Sequence, residues 1–130
     1  MTKTSHVPEG WHTVTPRIVA HDARHLVEFL RRVFEATGDY LDTRPSVMQI
    51  GDSQLMISDA GIRSPMGAFL YVYVDDTDLV YRRAVEAGAS TLEEPVETPY
   101  GDRRCMVEDE WGNTWQIATP TNKRLQGIRQ

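Results

Sequence analysis

Cysteine is almost missing from this chain: Cys105 stands alone, so no internal disulfide can form. No apolar run approaches the roughly 20 residues needed to span a bilayer. Positive charge is short as well. Fourteen Lys and Arg face 19 Asp and Glu, and the net charge of −5 excludes a general nucleic-acid surface. The basic residues Lys123, Arg124 and Arg129 are too sparse to reverse that. Histidine is confined to His6, His12, His21 and His25, all before or at the start of the first predicted helix. Met1 to Gly10 is polar and carries no apolar signal segment, and a lone thiol suits a reducing compartment, so a cytoplasmic protein is expected. What remains is ordinary globular composition, 40% hydrophobic and 25% charged over 130 residues, enough for one domain.

Apolar periodicity predicts the elements. Val14 to Ala20 reads as a strand. Asp22 is placed to cap the helix that follows, where Leu26, Phe29, Leu30, Val33 and Phe34 make one apolar stripe and Gly38 ends the helix. Strands are predicted at Tyr40–Thr43, Val47–Ile50 and Gln54–Ser58, with Gly51-Asp52 turning between the last two. Asp59 to Gly67 reads as a linker. The order then begins again. A strand from Phe69 to Val74 precedes a helix capped by Asp76 or Thr77, with Leu79, Val80, Ala84 and Val85 as its buried side and Gly88 as its stop. Strands follow near Ser90–Leu92, Arg103–Glu108 and Thr114–Ala118, and Gly112-Asn113 turns between the last two.

The chain thus reads as strand, helix, three strands, twice. Arg31-Arg32 with Glu35-Ala36 recurs as Arg82-Arg83 with Glu86-Ala87. Four segments carry a family resemblance: Thr13-Val14-Thr15-Pro16, Ile50 to Asp59, Tyr71 to Asp76, and Tyr100-Gly101-Asp102-Arg103 followed by Asp109 to Trp115. They resemble the vicinal oxygen chelate superfamily of glyoxalases, bleomycin-resistance proteins and dioxygenases, and within it the small PhnB-like proteins. Glu110 stands where that family usually has proline. The resemblance implies an α+β fold of two βαβββ modules forming a curled mixed sheet. The modules would be residues 13–58 and 68–119 of one domain, joined by a linker at 59–67. It also implies a small-molecule ligand and a homodimer.

Strand alternation sorts the side chains. Leu70, Val72 and Val74 form an aliphatic face suited to packing on a helix, and Phe69, Tyr71 and Tyr73 form the other. Ile18 and Ala20 point opposite to Thr15, Arg17 and Val19. The expected ligand face comprises Thr15, Arg17, Met56, Phe69, Tyr71, Tyr73, Arg104, Met106, Thr114 and Gln116. Rings, thioethers and arginine suit an apolar or aromatic ligand carrying a polar or anionic group. The competing reading of the same face is an interface with a second subunit.

Metal-dependent relatives draw His, Glu or Gln ligands from the first and last strand of each module. The matching residues here are Thr15, Met56, Phe69 and Gln116, a set unsuited to hard divalent ions, so no metal and no cofactor are expected. His21 and His25 read as solvated, and Cys105 as a packed thiol. The carboxylates at Asp75-Asp76 with Asp78, Glu93-Glu94 and Glu108-Asp109-Glu110 read as structural or solvated, and Arg103 as an ion-pair partner or an anion contact. The leading expectation is a metal-independent binder that sequesters a drug or natural product. The alternatives are a lyase, isomerase or dioxygenase, and a regulatory dimer without a small ligand. No membrane partner is expected.

Overall fold

The computed structural model describes residues 6–121, so the basic residues Lys123, Arg124 and Arg129 lie outside the described part. The elements run β1 (Arg17–Ala20), α1 (Ala23–Phe34), β2 (Ser46–Ile50), β3 (Ser53–Asp59), β4 (Phe69–Tyr73), α2 (Thr77–Glu86), β5 (Ser90–Glu97), β6 (Asp102–Glu108) and β7 (Thr114–Pro120). This is an α+β arrangement with two mixed sheets, consistent with the vicinal oxygen chelate fold. No helix among the described residues is long and apolar enough to cross a membrane. The chain divides into two compact units. Among the described residues, one comprises 6–31 and Glu35–Met66, and the other Arg32–Phe34 and 67–121.

In the first unit β3 is central, parallel to β1 and antiparallel to β2. Ile18, Met48, Leu55 and Ile57 are buried on one face, and Leu26, Val27 and Leu30 of α1 are buried too. Each such side chain contributes about 1.5–3 kcal/mol through burial. Gly51 takes φ 58 in the two-residue turn joining β2 and β3.

Several expectations for this unit need correction. The first strand starts at Arg17, not Val14, and Val14 is exposed. Val19 is buried instead of sharing the open side with Arg17, at the point where the Met66 amide donates to its carbonyl at 2.8 Å. The linker is therefore partly tied down, since Asp59 belongs to β3 and Met66 bridges Val19. Asp22 occupies the N-cap position in a left-handed conformation but makes no capping bond. Asp59 caps α1 instead, accepting from the Ala23 amide at 2.9 Å. The helix ends at Phe34 through left-handed Glu35, before Gly38. Gly38 instead permits a close approach of two backbones: at φ 125, a β-carbon there would lie 2.3 Å from the Val47 carbonyl.

No strand forms at Tyr40–Thr43. Only Thr37 pairs, in an isolated bridge to Gln49. Side chains take the backbone groups nearby: Arg31 holds the Gly38 carbonyl and the Asp39 carboxylate, and Ser46 Oγ accepts from the Leu41 amide at 2.7 Å. Among the described residues the first unit thus has one strand fewer than the second.

In the second unit the order is β4-β7-β6-β5, with β4 parallel to β7 and the rest antiparallel. Asp76 caps α2, accepting from the Leu79 amide at 3.1 Å. Thr77, Val80 and Ala84 form its buried side, whereas Leu79 and Val85 are exposed. The Thr77 hydroxyl fixes the helix by reaching Thr119 Oγ1 (2.7 Å) and donating to the Arg103 carbonyl (2.9 Å). α2 lies against β5, β6 and β7, so Leu70 and Val72 on edge strand β4 are only half-buried, not deep in a helix-facing core. β5 runs on to Glu97 through Pro95, with two register shifts against β6, and Glu93 belongs to the strand instead of a turn.

The end of the fold is organised by Asp109, nearly buried in the turn before β7. Its carboxylate accepts from the Trp111 and Asn113 amides, from Asn113 Nδ2 (2.9 Å each) and from Trp115 Nε1 (2.8 Å). The Trp115 ring is fully buried, 5.0 Å from the Phe34 ring. Asp109 is therefore the reason for an Asp-to-Trp spacing of six in this hairpin.

Candidate ligand-binding face

The register of the second sheet sorts its residues without ambiguity. Leu70, Trp115 and Val107 share one row, as do Val72, Ile117 and Cys105. Trp115, Val107, Ile117 and Cys105 are buried. The opposite face carries Phe69 beside Thr114 and Glu108, then Tyr71 beside Gln116, Met106 and Glu93, then Tyr73 beside Ala118 and Arg104. Phe69 is 67% exposed, Tyr73 53% and Tyr71 38%. The seven residues singled out from this half of the sequence therefore lie together on one face.

At the upper edge of that face, the hairpin from β5 to β6 is closed by Thr98. Its amide donates to the Asp102 carbonyl at 2.7 Å, and its hydroxyl accepts from the Asp102 amide at 2.9 Å. Thr121 holds the Gly101 carbonyl from the other side. This sets Asp102, fully buried, beneath the phenols. Asp102 Oδ2 accepts from Tyr71 at 2.6 Å and from Tyr73 at 3.0 Å, and the two rings lie 5.3 Å apart. Tyr71 Oη also meets Tyr100 Oη at 3.2 Å, and Arg104 Nη1 donates to Tyr100 at 2.8 Å. Arg104 is in turn held by Glu93, through Nε at 3.1 Å and Nη2 at 2.7 Å. Partial burial, then the Asp102 bond, push the Tyr71 phenol well above the usual tyrosine value.

Asp102, Tyr100 and Glu93 were not among the residues expected at the face. Alternation contained the signal for Asp102, because it precedes Arg104 and Met106 by two and four positions. Arg104 is not a free cation awaiting an anion, since Glu93 already neutralises it. Arg103 points the other way and pairs with Asp78 (3.1 Å) and Glu97 (3.5 Å), which settles it as an ion-pair residue. Cys105 is buried on the core side, and burial pushes its thiol up to about 11.

In the first unit Arg17 and Met56 are directly opposed, with Val47 on the far side of Met56. Arg17 Nε donates to Ser58 Oγ at 2.9 Å. Thr15 lies before β1, outside the sheet. The cross-strand partners are thus Arg17 with Met56 and Tyr71 with Gln116, not Thr15 and Phe69. Neither the guanidinium and thioether of the first pair nor the phenol and amide of the second suits a divalent cation, which needs imidazole or carboxylate donors. Among the described residues no three His, Cys, Asp or Glu side chains group as a metal site. His21 and His25 are exposed, and His25 Nδ1 lies 2.6 Å from Asp22.

Solved structures share the fold. TioX from Micromonospora sp. ML1 superposes with a TM-score of 0.70 at 20% identity, covering 84% of this chain and 98% of its own. A glyoxalase/bleomycin resistance protein/dioxygenase family enzyme from Burkholderia phytofirmans PsJN gives 0.70 at 20%, covering 82% and 96%. The fosfomycin resistance protein FosX from Mesorhizobium loti gives 0.66 at 19%, covering 88% and 97%. No curated protein matches the sequence. The model of the Glyoxalase/Bleomycin resistance protein/Dioxygenase superfamily matches residues 3–117, nearly the whole length, and the chain belongs to that superfamily.

Proposed function

We propose that this chain is a metal-independent small-molecule-binding protein of the PhnB-like group that sequesters a drug or natural product. The observation that carries this reading is the exposed aromatic row Phe69, Tyr71 and Tyr73 on a sheet whose other face is core. Such rings offer broad apolar contact and stacking. Met106, Thr114, Gln116 and Arg104 complete the proposed face in the second unit, and Arg17, Met56 and Thr15 are the candidates in the first. Residues 13–58 and 68–119 would serve as the modules of one cytoplasmic domain. The name of FosX ties this fold, in that protein, to resistance against an antibiotic. The lyase, isomerase or dioxygenase alternative finds no suitable donors in the pairs Arg17–Met56 and Tyr71–Gln116.

The test is a thermal-shift and calorimetric screen of bleomycin, fosfomycin and a panel of planar aromatic natural products, with elemental analysis of the purified protein. A ligand that binds only the folded state raises the melting temperature. Binding weakened by Tyr73→Ala with little loss of stability is the expected result. A tightly held stoichiometric nickel or zinc, or a panel without any binder, overturns the reading. A two-fold homodimer is proposed with it, the commonest closed assembly of soluble chains. Light scattering that shows monomer mass alone overturns that part.

A further inference from the structure

The arginines of this chain are not alike. Arg103 is held by Asp78 and Glu97, Arg104 by Glu93, and Arg31 by Glu28 and Asp39. Arg17, exposed at the start of β1, has no carboxylate partner among the described residues. Its bond runs from Nε to Ser58 Oγ, at 2.9 Å. That bond ties down one edge of the guanidinium and leaves the N–H groups of Nη1 and Nη2 without an acceptor among the described residues. A hydroxyl that accepts still has a hydrogen to give, and the Ser58 hydrogen also meets no acceptor among them. A fork of N–H donors and a hydroxyl thus stand side by side, and only a group rich in lone pairs answers both.

No acid on this face of the sheet competes for the guanidinium. Arg17 shares the face with Val47 and Gln49 of β2 and with Gln54, Met56 and Ser58 of β3. Asp59 alternates to the opposite side, where it serves the Ala23 amide and the Tyr40 hydroxyl. Glu9 lies beside Gly10, whose carbonyl accepts from Gln54 Nε2 at 2.7 Å, and it makes no ion pair among the described residues. One row further along β3, Met56 and Val47 are half-buried next to Arg17 and offer a thioether and a branched side chain to an apolar body. We infer that Arg17 and Ser58 form an oxyanion site on this face, which takes the carboxylate of an organic acid while Met56 and Val47 carry its apolar part. A carboxylate matches the guanidinium fork with two parallel charge-assisted bonds, which a neutral hydroxyl cannot do. This rests on the small-molecule reading above and names its ligand class. It places the anionic group at Arg17 and not at Arg104, which Glu93 already holds.

The experiment uses three probes with one ring system: 2-naphthoate, 2-naphthylmethanol and 2-naphthylmethylamine, titrated into the intact protein by calorimetry near neutral pH. The carboxylate should bind at least about tenfold more tightly than the alcohol, the scale of one charge-assisted pair, with the amine weakest. In protein carrying isotope-labelled arginine, the nuclear magnetic resonance signal of Arg17 Nε should move as the carboxylate is added. Arg17→Met keeps an apolar stem without the charge. It should abolish the preference for the carboxylate and leave alcohol affinity within about twofold. Arg17→Gln repeats the test should Arg17→Met fold poorly by circular dichroism. Ser58→Ala keeps the charge but removes the hydroxyl and the Nε partner, and should cut the preference by about threefold or more. If the alcohol binds as well as the carboxylate, or if the folded Arg17 variants or Ser58→Ala keep the whole preference, the Arg17–Ser58 site is refuted and the small-molecule reading stands. If none of the three binds, the site is refuted, and the thermal-shift panel above decides the small-molecule reading separately.

Discussion

Replacing Asp109 by alanine should be among the most damaging single changes in this protein. The side chain accepts four hydrogen bonds, two from backbone amides and two from the side chains of Asn113 and Trp115. Asn113 and Trp115 are fully buried, so water cannot replace the lost acceptor without opening the turn. A buried donor left without a partner costs about 1–3 kcal/mol, and two such donors put the loss at about 4 kcal/mol. That is a large share of the roughly 5–15 kcal/mol that holds a domain together. Urea unfolding followed by far-ultraviolet circular dichroism measures it. With a slope of about 2 kcal/mol per molar, the midpoint should fall by about 2 M. Trp115→Phe removes the indole N–H and provides the second arm of a double-mutant cycle. The Asp109–Trp115 coupling should be about 1–2 kcal/mol, as for neighbours in one network. A loss below about 1 kcal/mol for Asp109→Ala, or no coupling, would mean that the hairpin spacing serves something other than this buried acceptor.

Asp59→Ala should cost about 1 kcal/mol by uncapping α1, whereas Asp22→Ala should cost clearly less; equal losses in thermal melts would contradict the capping assignment. Tyr71 has a raised pKa in the folded chain relative to the ordinary 10.0, so its contribution to stability is complete below pH 10.0 and is lost as pH rises through the folded value. Melting temperatures measured through alkaline pH should fall more steeply for the parent protein than for Tyr71→Phe, and parallel curves would count against the Asp102 bond. Cys105, buried and pushed up to about 11, should resist iodoacetamide near pH 8 in the folded protein and react once the chain is unfolded in urea. Rapid labelling of the native chain would show that β6 is not packed as described.

What was legible rested on local signals. Alternation along Phe69 to Tyr73 separated the aromatic from the aliphatic side of β4, and the Leu26 to Phe34 stripe marked the buried side of α1. What escaped depended on distant partners. The α1 cap comes from Asp59, 36 residues away from the amide that it serves. Glu93 and Arg104 meet only because β5 and β6 pair. Asp102 lies under two phenols because Thr98 holds its backbone there. Tyr40–Thr43 had strand-like residues, but side chains of Arg31 and Ser46 claimed its neighbourhood. A pattern of residue types reports which face a strand buries; it does not report whether a partner strand arrives.

Strand β5 also bears on how this protein behaves in a crowded solution. A sheet margin usually invites another chain to add a strand, the first step of amyloid growth and of many unwanted oligomers. Here Pro95 lacks the amide such a visitor would need, two register shifts interrupt the ladder, and exposed Glu94 adds a charge beside them. Leu92 and Val96 can therefore stay exposed on the margin without making it adhesive. Cumulative growth of fibrils from this side is blocked by the covalent chemistry of one residue and the spacing of its neighbours.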